Sequence, residues 1–485
     1  MKITLVYPGI AQIGFDSLGK GGMDRNWINL GLAYIGAYLK KNSYQVDLID
    51  LRKMTDWNQV ENEIEVRDSD IYGIHFNTVN CNNALRCAHI VKRNSKVVIA
   101  GGPHATISPT ELLSTGFVDY VVTGEGESSF LKLIKDIERG KGNERIIVGE
   151  KIEDLDSIPF PDRDLYNIPK VVGPLENFPY LDNGLVIMAS RGCPYRCTFC
   201  QPLQQKIFGT KIRQRSVGNV IAEIKEVIRK YKVRYISFQD DIFTVRKNWI
   251  LELCKAIKEE NIRIQWSAQS RVDTLDNELA KAISEAGCVC LFFGFESGSQ
   301  RVLNFLKKDI TVEQSLNAAK LCRKYGILIF ADYILGIPTE TEKELEETYQ
   351  MIKKIRPELH SPTYFVPIPG SHLYEYCREK DLIKISLYED FARNPFGEKI
   401  KGVDYQTLER YKMKMLKEIT HWWEEKSYAE MALKRWMHLW RLGYARDVLI
   451  EFLYSIPLFD IPLTVLSKIK SIVRRLFQGN HIRKR

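Results

Sequence analysis

Three cysteines stand close together in the segment RGCPYRCTFC, residues 191–200. Three residues separate Cys193 from Cys197, and two separate Cys197 from Cys200. Thiolates are the usual ligands of iron–sulfur clusters, and a compact loop can direct three of them at one cubane. A structural zinc ion usually takes four ligands, often as two separated pairs, and no second pair lies nearby. The spacing therefore predicts a [4Fe–4S] cluster with one iron left open, and zinc is the alternative.

An iron without a cysteine ligand can bind a small molecule. The amino and carboxylate groups of S-adenosylmethionine (SAM) can chelate such an iron, which places the sulfonium where it can be reduced. The radical released can attack an unactivated C–H bond, a chemistry that side chains alone do not supply. Hydrogen abstraction needs no general base, which agrees with the lack of a recognisable Ser-His-Asp or HExxH constellation. Core positions are predicted for the cysteines without common spacing, which are Cys254, Cys288, Cys290, Cys322 and Cys377.

The cysteine segment follows a predicted strand, Leu185–Ser190, that opens a series of alternating strands and helices. The further predicted strands are Tyr235–Gln239, Ile264–Ser267, Cys290–Phe295, Ile329–Leu335 and Thr363–Pro367. Helical spacing of apolar residues between them includes Gly218–Tyr231 and Leu275–Ala286. Six such units predict a partial (β/α)6 TIM-like barrel, whose chemistry sits at the carboxyl ends of the strands.

The first 145 residues show the same alternation, which predicts an α/β domain with a parallel sheet of Rossmann or flavodoxin type. Its predicted strands are Ile3–Tyr7, Gln45–Asp50, Ile71–Phe76, Val97–Ala100 and Tyr120–Thr123. Its predicted helices are Leu30–Lys41, Asn82–Arg93 and Ser128–Arg139. Glycines follow the strands at Gly9, Gly101-Gly102 and Gly124–Gly126, where an open sheet forms its ligand crevice, although ordinary turns use glycine too. No GxGxxG motif follows the first strand, so a dinucleotide is not favoured.

The chain is predicted to contain four parts: the α/β domain 1–145, a linker 146–184, the barrel 185–395 and a helical, basic region 396–485. Prolines mark the linker at Pro159, Pro161, Pro169, Pro174 and Pro179. Tryptophans enrich the last part at Trp422, Trp423, Trp436 and Trp440. The run Val448–Leu466 has transmembrane length, but charges and prolines interrupt it. We expect an interfacial or packed amphipathic segment there, with a helical subdomain that ends in solvated charges as the alternative.

Composition indicates a globular protein, with 45% hydrophobic and 27% charged residues. The net charge of +9 is partly local, because residues 468–485 hold seven Lys or Arg and no acidic residue. A basic tail of this kind does not indicate nucleic acid. The N-terminus lacks the features of a signal peptide, and ten cysteines are sparse for 485 residues. A cytoplasmic protein is therefore expected, with peripheral contact of the C-terminus at the inner face of a membrane.

The cysteine motif resembles CxxxCxxC of the radical SAM superfamily, with Phe199 at the aromatic position that lies near the adenine in that family. Residues at predicted strand ends extend the resemblance: Gln239, Asp240, Asp241, Gln269, Arg271, Glu296, Ser297, Gly336, Ile337 and Pro338. The resemblance implies that these residues shape the SAM pocket, with Glu296 and Ser297 as polar contacts. Structural roles are the alternative, since Asp240 or Asp241 can cap a helix and Glu296 can pair with Arg271.

The α/β domain followed by this barrel is similar to the cobalamin-binding branch of that superfamily, which includes class B methylases and the anaerobic magnesium-protoporphyrin ester cyclase group. The resemblance implies cobalamin contacts at Gly9, Thr78, Gly101, Gly102, His104, Gly124, Glu125 and Gly126. The DxHxxG motif that ligates cobalt in many cobalamin proteins is absent, as is common in this branch. A structural role for His104 stays open, as does a domain that only docks substrate or braces the barrel.

The resemblance implies cobalamin-dependent methylation of an unactivated carbon through a 5′-deoxyadenosyl radical. A cyclase or oxidase with both cofactors but no methyl transfer is the nearest alternative. A non-catalytic Fe–S and cobalamin sensor or an electron carrier is the alternative from another class. The expected partners are an external electron donor and a small hydrophobic substrate such as a lipid, an isoprenoid or a tetrapyrrole.

Overall fold

A computed structural model describes residues 1–9, 28–166, 184–200, 203–392 and 397–419. Two six-stranded parallel sheets organise these residues, and helices connect the strands of each. The α/β class expected from the sequence is confirmed.

The first sheet has the order β2-β1-β3-β4-β5-β6, with every pair parallel. Its strands are β1 Lys2–Tyr7, β2 Gln45–Asp50, β3 Ile71–His75, β4 Val97–Gly101, β5 Tyr120–Thr123 and β6 Ile146–Val148. The helices are α1 Leu30–Lys41, α2 Trp57–Arg67, α3 Cys81–Arg93, α4 Pro103–Ile107, α5 Pro109–Ser114 and α6 Glu127–Glu138. Residues 146–148, predicted as the start of the linker, instead form the edge strand. The sequence did not indicate this strand, because a run of three residues is too short to show periodicity.

The second sheet has the order β14-β13-β12-β11-β10-β7, and all its neighbours are parallel. Its strands are β7 Gly184–Ile187, β10 Tyr235–Phe238, β11 Gln265–Ser270, β12 Cys288–Glu296, β13 Leu328–Leu335 and β14 Leu359–Tyr364. Within the described ranges β7 and β14 are not paired, so the sheet is an open, partial barrel. Its last strand begins four residues before the predicted Thr363–Pro367. The sequence did not indicate the start of this strand because it contains Pro362, and proline within a strand is tolerated only at an edge such as β14.

A short antiparallel ribbon flanks the cysteine segment, formed by β8 Ser190–Arg191 and β9 Arg213–Gln214. The helices around the barrel are α7 Leu203–Phe208, α8 Val217–Tyr231, α9 Lys247–Glu259, α10 Asn277–Glu285, α11 Gln300–Phe305, α12 Val312–Tyr325 and α13 Glu342–Ile355. Two more follow the last strand, α14 His372–Glu379 and α15 Tyr405–Ile419.

One buried charge cluster ties the connector between the sheets to the barrel. Arg163, in the connector, places its Nη2 2.6 Å from Oε1 of Glu223 on α8. The other oxygen of Glu223 pairs with Arg215. All three side chains are at most 4% exposed, so each positive charge depends on this carboxylate for compensation.

No helix in the described part of the chain is long and apolar enough to cross a membrane. The predicted interfacial segment Val448–Leu466 and the four tryptophans of the C-terminal region lie outside the described residues.

Candidate active site

The three clustered cysteines line one cavity of about 270 Å³ at the carboxyl ends of the barrel strands, here called the cysteine cavity. Cys193 and Cys197 are half-buried, and Cys200 is exposed. Among the described residues, no three His, Cys, Asp or Glu side chains converge as a single metal ion would require. A cubane offers a separate iron to each thiolate, so its ligands need not converge on one point. Three thiols on one compact loop are therefore a suitable ligand set for a cluster that leaves one iron open.

Two cations lie near the second of these thiols. Burial raises the pKa of the Cys193 and Cys197 thiols, while the charges of Lys308 and Arg271 oppose the rise at Cys197. A thiol bound to a metal is deprotonated outright. The two cations therefore offset part of the negative charge that thiolate ligands bring into the cavity. Lys308 is absent from the sequence predictions, because it lies outside the strand ends that drew attention.

The carboxylate of Glu296 pairs with this lysine and not with the arginine considered from sequence. Its Oε1 lies 2.8 Å from Nζ of Lys308. A register shift in β12 and a φ of 62° turn Glu296 into this position. A side chain at Gly294 would meet both charged groups, with its Cβ 2.2 Å from the Glu296 oxygen and 2.9 Å from the lysine nitrogen. Glycine at this position therefore leaves room for the Glu296–Lys308 ion pair.

Arg271 presents a free donor to the same cavity. Its guanidinium lies 3.6 Å from the ring centroid of Tyr195, in the cysteine loop. Its Nε donates to Asp273 at 2.9 Å and its Nη2 donates to the Lys308 carbonyl at 2.7 Å. Its Nη1 is buried and has no hydrogen-bond partner in the described ranges. An unsatisfied buried donor of this kind suits the carboxylate of a ligand.

The residues predicted to shape the SAM pocket divide into two groups. Those that line the cysteine cavity are Phe199, Asp241, Gln269, Arg271 and Glu296. Those that lie outside its lining are Gln239, Asp240, Ser297, Gly336, Ile337 and Pro338.

Asp240 and Ser297 serve the backbone around the site. The carboxylate of Asp240 accepts hydrogen bonds from Ala189 N, at 3.1 Å, and from the Ser190 hydroxyl. Burial raises the pKa of Asp240 to about 6, against these hydrogen bonds. The Ser297 hydroxyl lies 3.1 Å from that of Thr348 and accepts from Ser299 N. Neither side chain caps the following helix.

A buried carboxylate also holds the Gly336–Pro338 turn. Oε2 of Glu340 accepts from the backbone N–H of Gly336 at 2.7 Å and of Ile337 at 3.3 Å. Ile337 packs in the same apolar cluster as Phe199. The turn therefore supports the aromatic residue of the cysteine loop from behind. Burial raises the pKa of Glu340 to about 8.

We expect Glu340→Gln to flatten the dependence of thermal stability on pH. The pKa of Glu340 in the folded protein lies above its unfolded value of about 4.3. Protonated Glu340 therefore contributes fully to the free energy of unfolding below about pH 4.3, and this contribution is lost as the pH rises through about 8. The melting temperature of the native protein should fall over this window, and the variant should fall less. Scanning fluorimetry between these pH values measures the difference. Glu342→Gln, at the exposed start of α13, is the control, and a curve for Glu340→Gln that runs parallel to that of the native protein would contradict the expectation.

A second cavity of about 440 Å³ lies between the carboxyl edge of the first sheet and the barrel, and is here called the interdomain cavity. Its rim on the first sheet contains Gly101, Gly102, Gly124, Glu125 and Gly126. Its barrel side contains Met188, Arg191, Phe208 and Gln239, and its apolar floor contains Leu5, Ile99, Val122 and Phe130. An apolar floor under a glycine rim fits a large ring with polar arms, as cobalamin is, because backbone can approach closely where no side chain intervenes.

His75, which the sequence did not single out, is the imidazole of this cavity. It ends β3, the strand paired with β1 and β4, and burial lowers its pKa to about 4. Its Nδ1 is buried, without a hydrogen-bond partner among the described residues. Gly102 has a φ of 98°, and a Cβ there would lie 2.9 Å from the imidazole Cδ2. The glycine therefore makes room for a neutral imidazole.

Gly9, Thr78 and His104 lie outside the lining of the interdomain cavity. Thr78 Oγ1 lies 3.2 Å from Nδ1 of His104, which is 2% exposed. The other imidazole nitrogen faces Glu111 at 3.9 Å, and the ring of Tyr388 packs edge-on against it. The structure thus gives His104 a packing role. His75 lies near the end of a predicted strand, and this position could have identified it from the sequence as a residue of the interdomain cavity.

Two family models match parts of the chain: the radical SAM superfamily over residues 187–352 and the B12 binding domain over residues 23–134. A Pyrococcus horikoshii protein named as an uncharacterized methyltransferase is 34% identical over 404 residues, which cover 79% of this chain and 84% of that protein. The anaerobic magnesium-protoporphyrin IX monomethyl ester cyclase of Rubrivivax gelatinosus is 27% identical, covering 78% of this chain and 70% of its own. The Kitasatospora setae methyltransferase TsrM, solved with cobalamin and a [4Fe–4S] cluster, superposes with a TM-score of 0.64 at 17% identity, covering 78% of each chain.

Proposed function

The chain belongs to the radical SAM enzymes that carry a B12-binding domain, and from this premise we propose that it methylates an unactivated carbon of a small molecule. The observation that carries the proposal is the pairing of two cavities. Three cysteine thiols line one, and a glycine-rimmed edge of the first sheet lines the other. A methyltransferase of this class needs both a radical source and a methyl carrier.

In this proposal Cys193, Cys197 and Cys200 hold the cluster, and the interdomain cavity holds cobalamin. When bound, the cluster and SAM supply a radical that takes a hydrogen atom from carbon, and cobalamin supplies the methyl group that replaces it. Arg271 and Lys308 offer positive charge to the carboxylate of SAM. Phe199 offers an apolar face beside the cysteines.

The substrate is proposed to be hydrophobic, because one wall of the cysteine cavity is apolar. That wall contains Ile334, Phe365, Val366 and Ile368. Such a wall can accept an apolar carbon skeleton and remove it from water. The substrate of the cyclase relative is a tetrapyrrole, which belongs to this class of molecule. An external electron donor is part of the proposal, because the cluster gives an electron to SAM in the cleavage and must itself be reduced.

A cyclase without methyl transfer is the second candidate, favoured by the similarity to the magnesium-protoporphyrin ester cyclase. One experiment separates the two. The full chain, reconstituted anaerobically with iron, sulfide and cobalamin and reduced with dithionite, is incubated with SAM bearing a deuterated methyl group and a metabolite extract from a strain lacking the protein. A product that gains the labelled methyl supports methylation. A product that loses hydrogen without gaining label supports the cyclase, and absence of SAM cleavage refutes both.

We expect His75→Phe to weaken cobalamin binding about 10-fold, the effect of one lost hydrogen bond. Phenylalanine keeps an aromatic ring at this position and removes both nitrogens from the cavity. Titration of the reconstituted protein followed by visible absorption gives the dissociation constant. His89→Phe is the control, because His89 is exposed on α3. Unchanged affinity in His75→Phe would show that the imidazole faces no part of the cofactor.

Peripheral membrane contact through the C-terminal region is also proposed. Seven basic residues in 468–485 favour an anionic bilayer surface. We expect deletion of residues 448–485 to abolish sedimentation with vesicles that contain phosphatidylglycerol. Equal sedimentation of the truncated and full chains would contradict this proposal, and would leave the proposal of methylation untouched.

A further inference from the structure

Two carboxylates of the first domain form ion pairs with arginines of the barrel. Glu125 accepts from Nη1 of Arg191 at 3.1 Å through one oxygen and pairs with Arg213 through the other. Glu127 accepts from Nη2 of the same Arg191. All four side chains are between 3% and 5% exposed. We call this group the interdomain clasp: Glu125, Glu127, Arg191 and Arg213.

The clasp acts on the strand that leads into the cysteine loop. Arg191 ends β8 and stands two residues before Cys193. In the antiparallel ribbon it lies directly opposite Arg213 of β9. Gly192, between Arg191 and the first cysteine, has a φ of 101°, and a Cβ there would lie 2.7 Å from the Lys211 carbonyl oxygen. The backbone of Lys211 therefore packs closely against the start of the loop, and a residue other than glycine would be strained there.

A second anchor fixes the same strand from the barrel side. The buried carboxylate of Asp240 accepts from Ala189 N and Ser190 Oγ, the two residues before Arg191. The entrance to the loop is thus held from the barrel by Asp240 and from the first domain by Glu125 and Glu127. The barrel anchor orients the strand, and the clasp sets where it lies relative to the first domain.

The clasp also borders the interdomain cavity. Glu125, Glu127 and Arg191 all contribute to its lining, so the same residues bound the proposed cobalamin site and hold the proposed cluster loop. Burying two arginines side by side is unfavourable unless carboxylates compensate both charges, and loss of one partner leaves an unpaired buried charge. Arg191 places one donor on each of two carboxylates, which fixes the orientation of its guanidinium better than a single contact does.

We propose that Glu125 and Glu127 are positioning residues that set the separation between the cysteine loop and the interdomain cavity. This inference rests on the proposed function for its consequence, which is that the radical and the methyl donor stay within reach of one substrate carbon. In this role the Glu125 carboxylate acts on the arginines of the barrel and not directly on cobalamin. Both of its oxygens are already engaged with protein groups, including Ile152 N at 3.0 Å.

The test uses the full chain loaded with iron, sulfide and cobalamin, in native form and as Glu125→Gln and Glu127→Gln. Pulsed electron paramagnetic resonance measures the magnetic interaction between the reduced cluster and cobalt(II) cobalamin. We expect a narrow distance distribution in the native protein and a broad or shifted one in both variants, with iron and cobalamin content retained. Methylated product should fall about 10-fold or more relative to 5′-deoxyadenosine, because a displacement near 1 Å can cost about 10²-fold.

Glu223→Gln is the matched control, because it weakens an equally buried carboxylate paired with two arginines outside the clasp. It should lower thermal stability and leave the distance distribution native. If Glu125→Gln does not fold, Arg213→Lys tests the contact with Glu125, since lysine keeps the charge but loses the planar group that donates to both Glu125 and the Ile152 carbonyl. A native distance and product ratio in the folded variants would overturn the proposal, as would selective loss of cobalamin from Glu125→Gln. If no methylated product forms even in the native protein, the proposed function fails, and the distance measurement still decides the positioning role.

Discussion

Replacing Cys197 with alanine should remove the iron–sulfur cluster and reduce SAM cleavage to the background of a protein-free reaction. Cys197 lies in the middle of the cysteine loop and lines the cysteine cavity with Cys193 and Cys200. Two thiolates on one loop cannot hold a cubane that already leaves one iron open, because half of its irons would then lack a protein ligand. Iron and sulfide analysis, the visible absorption of the reconstituted protein and the yield of 5′-deoxyadenosine measure the effect.

Cys377→Ala is the matched control for this experiment. Cys377 is fully buried in an apolar cluster behind the site and carries a free thiol. Its removal deletes a small apolar group and should leave iron content and SAM cleavage native. Full iron incorporation and SAM cleavage in Cys197→Ala would contradict the assignment of the loop, and loss of iron in Cys377→Ala would point to an unstable fold.

Glu223→Ala should lower the free energy of unfolding of the barrel by about 3–5 kcal/mol, the usual cost of breaking a buried ion pair. The carboxylate compensates Arg163 of the connector and Arg215, which follows β9. Without it, two guanidinium groups remain buried without a countercharge. For a unit of about 200 residues this corresponds to a fall in melting temperature of about 10 °C. Differential scanning calorimetry of the apoprotein measures it, since a chain with two sheets need not unfold in one step.

Glu252→Ala supplies the control. Glu252 is exposed on α9, the next helix of the barrel, and such a change usually alters stability by less than about 0.5 kcal/mol. Similar melting temperatures for Glu223→Ala and the native protein would mean that solvent reaches the two arginines and that the connector is not held by charge.

Features with a local cause could be predicted from the sequence alone. Helix α1 has the predicted bounds, because Asn29 caps it through Leu32 N and basic residues close its last turn. The parallel strands followed from runs of apolar residues separated by helical patterns. The segment 191–200 indicated its chemistry because three ligands to one cluster lay within eight residues. The cofactor class and the α/β architecture needed no knowledge of distant contacts.

The tertiary structure alone decided which side chains meet across the chain. Glu125 pairs with Arg213, 88 residues away, and Glu296 pairs with Lys308 instead of Arg271. His75 lines the interdomain cavity, whereas the predicted His104 packs against Thr78. Periodicity and spacing report the conformation of a segment and which face it buries, but they do not encode how two sheets pack against each other. Since a buried charge must find its partner in that packing, only the folded chain shows that a glycine-rich turn predicted to touch cobalamin also holds the loop of the three cysteines.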